Sequence, residues 1–306
     1  MTGNEALTGK RGGCTLHSQP LRSLLFCPAD SERKIAKARD AGADAVVIDL
    51  EDSVAPGAKR DARDLAKAAL AGPRQVAIIV RVNAVETSFY LGDVAAVVSG
   101  APEAIMLPKC SGPDDLQRLS AQLDVLEAAF DIAPGSIGIL PLVTETAASL
   151  RKMDYTHVTS RLVALAFAGE DLASDLGVSA RADGTFNLLL ADARRGVAFA
   201  AATAGVPAID TPFPDPRDAD GLTRETRGAV ELGFAGKLCI HPGQIAAVHA
   251  AFRPDPEQVE WGRAVIAALD SASDGVSTVS GKMVDIAHLR LAHRYVRSAE
   301  MQERRA

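Results

Sequence analysis

Short apolar runs recur along the chain and are separated by longer stretches of mixed polarity. Eight of these runs are four to seven residues long and nearly all apolar, which is typical of strands buried on both faces. We predict strands at Ser23–Cys27, Ala45–Asp49, Val76–Val82, Ala104–Leu107, Ile137–Leu142, Leu162–Phe167, Pro207–Asp210 and Lys237–Ile240.

The stretches between the strands carry apolar residues at i, i+3 and i+4, the pattern of an amphipathic helix. Glycine follows several of them, as helix C-termini prefer. The predicted helices are Ser31–Ala41, Gly57–Leu70, Leu116–Ala129, Asn187–Ala204 and Ala219–Leu232. Strands alternating with helices predict a parallel sheet, and eight such units closing on themselves predict a (β/α)8 TIM barrel. An open doubly wound sheet is the alternative.

The pattern changes at both ends of the chain. Residues 1–20 are rich in small and polar residues without an apolar h-region, which predicts a flexible arm and not a secretory signal. After the last strand we predict helices at His241–Phe252 and Pro256–Ala272, a loop or short hairpin at Ser273–Gly281, and a helix at Met283–Met301. The barrel is therefore expected over residues 21–254 and a C-terminal helical extension over residues 255–306.

Composition narrows the class of protein. The chain has 306 residues and a net charge of −6, so no basic surface for nucleic acid is expected. No apolar run approaches the length of a membrane span. The four cysteines are far apart without metal-ligand spacing, which indicates free thiols in a reducing compartment. We expect a cytoplasmic protein with neither a nucleic-acid nor a membrane partner.

A polar or charged group follows each predicted strand, at the end where a barrel carries its active site. Several carboxylates meet there without a set of Cys and His ligands, which favours a hard cation such as Mg²⁺. The groups are Asp30, Asp49 with Glu51 and Asp52, Arg81 with Asn83, Lys109, Thr144 with Glu145, Glu170 with Asp171, Asp210, and His241.

Ordinary βα-loop chemistry is the alternative explanation. Asp30, Thr144 and Asp210 could be helix caps only, and Lys109 could be solvated. The segment Asp49–Asp52 is harder to explain in this way, because three carboxylates within four residues repel each other unless a cation, an arginine or hydrogen-bond donors offset them.

Short motifs recur along the chain in a fixed order. They include RSLLFCP at Arg22–Pro28, DLEDSV at Asp49–Val54, RVN at Arg81–Asn83, LPK at Leu107–Lys109, ET at Glu145–Thr146, GEDL at Gly169–Leu172 and IHPGQI at Ile240–Ile245. Each motif is weak alone, but together, from about Leu21 to Ala292, they resemble the citrate lyase β-subunit-like (HpcH/HpaI aldolase/citrate lyase) family.

The resemblance implies a Mg²⁺-dependent lyase, with Mn²⁺ as a substitute, that cleaves a 3-hydroxyacyl-CoA thioester of the malyl, citramalyl or citryl type. A reverse Claisen reaction would give a 2-oxoacid and an acyl-CoA. By resemblance, Glu145 and Asp171 bind the metal, and Glu145 also meets the substrate. The resemblance also implies that Arg81 holds the 2-oxoacid and that Glu51 and Asp52 lie near the metal and reach it through its waters.

Coenzyme A, as part of the substrate, has its own set of matching residues. By resemblance Arg33 and Lys37, on the first helix, contact it, and Phe26 and His241 lie in motifs that we also assign to its site. Arg33 and Lys37 are one helical turn apart, which suits a phosphate or pyrophosphate. A solvated basic helix face is the alternative for these two.

The tail resembles the C-terminal lid of the coenzyme A thioester lyases at Gly281–Asp285. In those enzymes an aspartate at the position of Asp285 comes from a neighbouring subunit and acts as acid or base, which implies a homotrimer or hexamer. Three alternatives stay open: a citrate lyase β subunit acting on an acyl-carrier-protein thioester, a malyl-CoA thioesterase, and an inert CoA-binding scaffold.

Overall fold

The computed structural model describes residues 14–72, 74–272 and 275–303, of which 301–303 are described by their backbone alone. Its strands, in chain order, are β1 Ser23–Pro28, β2 Ala45–Asp49, β3 Ala77–Arg81, β4 Ala104–Leu107, β5 Gly138–Pro141, β6 Leu165–Ala166, β7 Arg181–Ala182, β8 Thr185–Phe186, β9 Ala208–Asp210, β10 Gly236–Cys239, β11 Val276–Val279 and β12 Lys282–Asp285.

The main sheet is a closed parallel barrel. Its strand order is β5-β4-β3-β2-β1-β10-β9-β6, so β5 and β6 are the two ends. These ends meet through parallel bridges of Ile139 with Leu162 and of Leu142 with Ala166. The predicted (β/α)8 barrel is therefore confirmed, and the open doubly wound sheet is excluded because such a sheet has two free edges.

Helices follow most of the barrel strands, and two more lie in the C-terminal part of the chain. The helices, in chain order, are α1 Glu32–Arg39, α2 Lys59–Leu70, α3 Tyr90–Val98, α4 Pro113–Ala129, α5 Gly169–Leu176, α6 Leu188–Ala204, α7 Ala219–Glu231, α8 Ile245–Ala251, α9 Pro256–Asp270 and α10 Ile286–Glu303. The sequence pattern missed α3, α5 and the hairpin of β7 with β8. Between β5 and β6 the described chain forms a short 3₁₀-helix, Ser149–Lys152, in place of an α-helix.

Alternation along the strands decides which side chains enter the barrel. Val47 on β2 and Ile79 on β3 belong to the buried cluster that fills its interior. Side chains two residues apart point to the same side of a strand. Asp49 and Arg81 therefore continue the inward-facing rows at the C-terminal mouth, and the two residues are paired in register.

The chain divides between Ala251 and Phe252 into two compact units. The C-terminal unit contains α9, the antiparallel pair β11 and β12, and α10, around a small core that includes Val265 and Val284. Where a loop or short hairpin was predicted at Ser273–Gly281, the described chain forms a hairpin that extends past Gly281 to Asp285. The predicted helix start at Met283 is wrong, because Met283 lies on β12, where it pairs with Thr278 of β11, and the helix begins at Ile286.

The predicted arm over residues 1–20 lies partly outside the described residues, which begin at Cys14. From there the chain forms a 3₁₀-helix, Thr15–Ser18, and Cys14 and Leu16 join the buried interior cluster. All four cysteines are buried free thiols. Among the helices that the structure describes, none combines the length and apolar character needed to cross a bilayer.

Candidate functional site

Arg81 and Asp49 form a two-pronged ion pair inside the barrel mouth. Arg81 Nε donates to Asp49 Oδ1 and Nη2 donates to Oδ2, each at 2.7 Å. Burial raises the pKa of Asp49, but the hydrogen bonds and charge of Arg81 outweigh burial and hold that pKa below its usual value. Bidentate pairing also fixes the plane of the guanidinium.

The remaining contacts of Arg81 lock its orientation. Nη1 lies 3.2 Å from Glu51 Oε2, and the guanidinium lies 4.7 Å from the centre of the Phe26 ring. Phe26 is half-buried. Three sides of Arg81 are therefore occupied by Asp49, Glu51 and Phe26, and the assignment of Phe26 to coenzyme A stays a prediction.

The loop after β2 is anchored from behind. The buried Lys59 donates to the carbonyls of Leu50 and Glu51, both at 2.7 Å, and Asn83 donates to the Leu50 carbonyl at 2.9 Å. Glu51 is buried, whereas the side chain of Asp52 is 58% exposed. Burial raises the pKa of Glu51 even though Arg81 and Lys109 lower it.

Lys109 connects two parts of the site. Its ammonium contacts Glu51 Oε1 and lies 3.5 Å from Asp52, and its backbone N–H donates to Glu145 Oε2. The residue has φ of 49°, in the left-handed region that costs free energy for any residue but glycine. This backbone conformation directs the N–H of Lys109 at the carboxylate of Glu145.

Glu145 is the least compensated carboxylate of the site. Its side chain is buried, and Oε1 accepts no hydrogen bond from the described residues. Burial, together with the nearby carboxylates of Glu51 and Asp171, raises the pKa of Glu145 to about 8, against the lowering effect of the Lys109 N–H. An oxygen in this state is free to bind a cation.

Asp171 lies in the first turn of α5, and two threonines hold that turn. Thr144 Oγ1 accepts from Ala168 N and Thr211 Oγ1 accepts from Gly169 N, both at 2.9 Å. Burial and the carboxylate of Asp52 raise the pKa of Asp171, while Lys109 and Arg81 lower it. The half-buried Asp171 thus shares the electrostatic environment of Glu145.

We name these residues the mouth cluster: Asp49, Glu51, Asp52, Arg81, Lys109, Glu145 and Asp171. Five carboxylates face two cations, which leaves an excess of negative charge. The described residues contain no group of three or more Asp, Glu, His or Cys placed to hold a metal alone. Mg²⁺ keeps several waters and needs only one or two protein carboxylates, so Glu145 and Asp171 fit it.

A second set of charged side chains lies in the barrel wall, and its members pair with one another. We name it the wall cluster: Glu170, Arg181, Arg194, Asp210, Glu225 and Lys237. The fully buried Lys237 contacts Asp210 at 2.7 Å and Glu225 at 2.8 Å. Arg194 donates a hydrogen bond to each carboxylate oxygen of Asp210, both at 2.8 Å. Arg181 pairs with Glu225 and Glu170. Asp210 is thus neither a helix cap nor part of the mouth cluster.

The other predicted residues have local surroundings that leave their roles untested. Arg33 and Lys37 are exposed on α1. His241 Nδ1 accepts from Gly243 N at 3.0 Å and so caps a short 3₁₀-helix. Asp285 ends β12 in the C-terminal unit, where His288 at 2.9 Å and Ala287 N at 3.0 Å contact it.

Sequence reasoning placed Lys109 among the polar strand ends but gave it no role in the site, and it left out Lys59 and Thr211. The LPK motif marked Lys109, but its left-handed backbone and its contacts with Glu51 and Glu145 depend on residues far away in the chain. No local signal distinguished Lys59 from an ordinary helix residue or Thr211 from an ordinary loop residue.

The protein family of the chain is shown by comparison with known families. Residues 22–242 match the model of the HpcH/HpaI aldolase/citrate lyase family. The chain belongs to this family. The match spans the barrel, from the start of β1 to the turn after β10, and so includes every residue of the mouth cluster.

Characterised relatives extend over most of the chain. Citrate lyase subunit beta of Escherichia coli is 34% identical over 269 residues, which cover 86% of this chain and 88% of that protein. A (3S)-malyl-CoA thioesterase of Cereibacter sphaeroides is 34% identical and covers 92% and 96% of the two chains. The mitochondrial citramalyl-CoA lyase of Rattus norvegicus is 32% identical and covers 90% and 85%.

Solved structures agree with the barrel. Protein CitE of Mycobacterium tuberculosis, in complex with magnesium, acetoacetate and coenzyme A, superposes with a TM-score of 0.74 at 33% identity and covers 93% of this chain and 99% of that one. The family and the fold are therefore confirmed. The expectation of a lyase is confirmed at the level of the family, whose members here include citrate lyase subunit beta and citramalyl-CoA lyase.

Proposed function

We propose that this chain is a Mg²⁺-dependent lyase that cleaves a 3-hydroxyacyl-CoA thioester of the malyl, citramalyl or citryl type to a 2-oxoacid and an acyl-CoA. The observation that carries the proposal is the buried Oε1 of Glu145, which no described residue satisfies, beside Asp171 and the fixed guanidinium of Arg81. The CitE structure with magnesium, acetoacetate and coenzyme A supports the same ligand classes.

The metal would be held by Glu145 and Asp171. When bound there, Mg²⁺ supplies Lewis-acid polarisation of the substrate's carboxylate and hydroxyl oxygens. Lys109 prepares Glu145 for this role, because its N–H occupies Oε2 and leaves Oε1 available. Thr144 and Thr211 prepare Asp171, because they fix the turn from which its side chain projects.

Arg81 would stabilise the oxygen that changes from hydroxyl to carbonyl. A guanidinium has five N–H donors. The two hydrogen bonds to Asp49 use one N–H on Nε and one on Nη2, and the contact of Nη1 with Glu51 is an ion pair without a hydrogen bond. Three N–H groups would remain for the substrate. Because Asp49 and Phe26 already fix the guanidinium, little reorganisation is needed as charge develops on that oxygen.

Asp285 would exchange the proton at the acyl thioester carbon. The hydrogen bonds from His288 and from Ala287 N lower the pKa of Asp285 below its usual value. At neutral pH it is therefore a carboxylate, the form that removes a proton in the condensing direction, and its protonated form would deliver that proton after cleavage.

The proposed assembly is a cytoplasmic homotrimer or hexamer in which Asp285 serves the barrel of a neighbouring subunit. Mixing two inactive variants, Arg81→Ala and Asp285→Ala, tests this sharing. If chains are refolded together, about a quarter of the sites in a closed ring would contain both groups. Recovery near that fraction supports the shared site, whereas no recovery despite demonstrated subunit exchange contradicts it.

A malyl-CoA thioesterase is the second candidate, because the relative from Cereibacter sphaeroides has that name. Assays with malyl-, citramalyl- and citryl-CoA and Mg²⁺ separate the two reactions. A lyase releases a 2-oxoacid and an acyl-CoA, whereas a thioesterase releases free coenzyme A and no 2-oxoacid. Failure to form a 2-oxoacid from any of these thioesters, or activity undiminished by EDTA, would contradict the proposal.

A further inference from the structure

Helix α6 carries an exposed stripe on the side that faces away from the barrel. We name it the α6 stripe: Leu188, Asp192, Arg195 and Phe199. The spacings of four, three and four residues place all of them on one helix face. Leu188 is 81% exposed and Phe199 is 73% exposed, and the side chains of Asp192 and Arg195 are 70% and 51% exposed. Single exposed apolar residues are common and need no explanation. Two large ones that flank a charged pair on the same helix face indicate a contact surface.

The stripe has the same layout when it is followed from either end. An apolar residue, a charged residue, a residue of opposite charge and an apolar residue succeed one another at mirror-symmetric spacing. If two copies of α6 packed antiparallel about a two-fold axis midway between Asp192 and Arg195, Leu188 would oppose Phe199 of the partner subunit. Asp192 would oppose Arg195 of the partner subunit. The stripe is therefore complementary to itself in both charge and apolar character.

Gly196 adds an independent observation. It lies in the interior of α6, where glycine is less favourable than alanine because it orders more backbone. A Cβ built there would meet only Met153 Sδ, at 3.7 Å, which is ordinary contact. The described chain thus has room for a side chain at this position. In the antiparallel pairing Gly196 would oppose Ala191 of the partner subunit, and two small residues there would let the helices approach closely.

We propose that the α6 stripe is a two-fold contact between two copies of this chain. An isologous interface uses the same patch twice, so it needs the self-complementary charge pattern that the stripe shows. From Leu188 to Phe199 the helix rises about 16 Å, and one such helix pair is small compared with standard interfaces. The contact is therefore expected to be concentration-dependent by itself. Combined with a three-fold ring it would join two trimers into a hexamer.

Charge reversal tests the pairing without reference to activity. Asp192→Lys makes the central pair of both copies positive, and Arg195→Asp makes it negative. Each variant alone should therefore associate at least about tenfold more weakly than wild type, a change in the association free energy of about 1.4 kcal/mol. Sedimentation velocity measures this difference. A mixture of the two variants should recover the wild-type mass, because positive stripes then face negative ones. Each variant replaces one exposed intrachain ion pair by a like-charged pair on the helix surface, a small change in stability, and circular dichroism should show an unchanged fold.

Apolar substitutions provide the matched control. Phe199→Glu should abolish the two-fold contact, and Val125→Glu, at a 68% exposed apolar position on α4, should retain it. Recovery in the mixed sample distinguishes a two-fold contact from a head-to-tail one, in which α6 would face a different surface. The proposal is overturned if wild type and Asp192→Lys have the same mass from micromolar to hundreds of micromolar. It is also overturned if mixing restores nothing, or if Val125→Glu and Phe199→Glu lower the mass alike.

Discussion

The mouth cluster and the wall cluster are built from the same residue types and differ in how their charges are balanced. In the wall cluster three cations contact three carboxylates, and Asp210 is held by Arg194 and Lys237 together. In the mouth cluster five carboxylates share two cations, and Glu145 Oε1 accepts no hydrogen bond from the described residues. The pKa of Asp210 is lowered, whereas that of Glu145 is raised to about 8.

This difference separates a structural ion network from a candidate binding site. Buried charges are tolerated when paired, and breaking such a pair is strongly destabilising. A buried carboxylate left without a partner destabilises the fold unless a ligand satisfies it, and strongly perturbed carboxylates mark functional sites. The mouth cluster therefore retains an uncompensated charge that a ligand can balance, whereas the carboxylates of the wall cluster are already balanced by its cations.

Removing a carboxylate from each cluster should give the largest contrast. Glu145→Gln removes a proposed metal ligand, so we expect turnover to fall on the order of 10³-fold, since metal polarisation contributes several kcal/mol. Mn²⁺ binding measured by calorimetry should weaken in parallel. The matched control Glu225→Gln should lower the free energy of unfolding by roughly 3 kcal/mol because Lys237 and Arg181 lose a partner. Its folded fraction should keep turnover within a few-fold. Unchanged Mn²⁺ affinity in Glu145→Gln would contradict the metal assignment.

The same exchange of arginine for lysine in both clusters should have a smaller effect. Arg81→Lys keeps the charge and loses the planar fork, so we expect turnover to fall about 10²-fold, the loss typical of one stabilising donor. Arg194→Lys breaks the same two-pronged geometry on Asp210 and should lower stability with little change in kcat. Steady-state kinetics at saturating Mg²⁺ measures both. Near-wild-type kcat in Arg81→Lys would make Arg81 a structural residue.

Lys109 tests whether positioning matters beside the ligands themselves. Glycine adopts a left-handed backbone without strain, so Lys109→Gly keeps the N–H on Glu145 and removes only the ammonium. We expect kcat to fall about tenfold, because Glu51 and Asp52 lose their nearest cation, an effect of about 1.4 kcal/mol. Lys109→Arg should recover most of the loss. Equal rates in all three proteins would limit Lys109 to a surface role.

The pH dependence of stability should separate the clusters in the metal-free protein. Between the usual carboxyl pKa of about 4.5 and the value of about 8 for Glu145, the unfolded chain releases a proton that the folded chain keeps. The free energy of unfolding should therefore fall as pH rises through this window, by up to about 1.4 kcal/mol per pH unit. Asp210 acts oppositely: its lowered pKa stabilises the fold at neutral pH, and that contribution is lost as pH falls.

Urea unfolding in EDTA at pH 5 to 8 measures this slope. Glu145→Gln should flatten it, and added Mg²⁺ should flatten it in wild type by favouring the ionised carboxylate. The same slope in Glu145→Gln as in wild type would assign the effect to another group.

The periodic pattern predicted the strands well because strands buried on both faces are nearly continuous apolar runs. Eight of the ten helices that the structure describes overlap predicted ones, whereas α3, α5 and the hairpin of β7 with β8 were missed. α5 has only eight residues and begins with the acidic turn that carries Asp171, so it gave no apolar periodicity long enough to detect. The polar strand ends were found by position alone, but their partners were not.

The sequence by itself determined the barrel, the family and the concentration of polar residues at the strand ends, since these follow from local periodicity and from motifs of adjacent residues. Only the tertiary structure decided which charges are balanced. Asp49 and Asp210 both end a strand, yet Asp49 continues an inward row beside Arg81, and Asp210 lies next to the inward-facing Ile209 and pairs with Lys237 in the wall. The difference between these two aspartates depends on side-chain direction and on partners that closure of the barrel brings together from distant positions. The pKa of a buried charge is set by those neighbours and by burial, and not by its place in the chain.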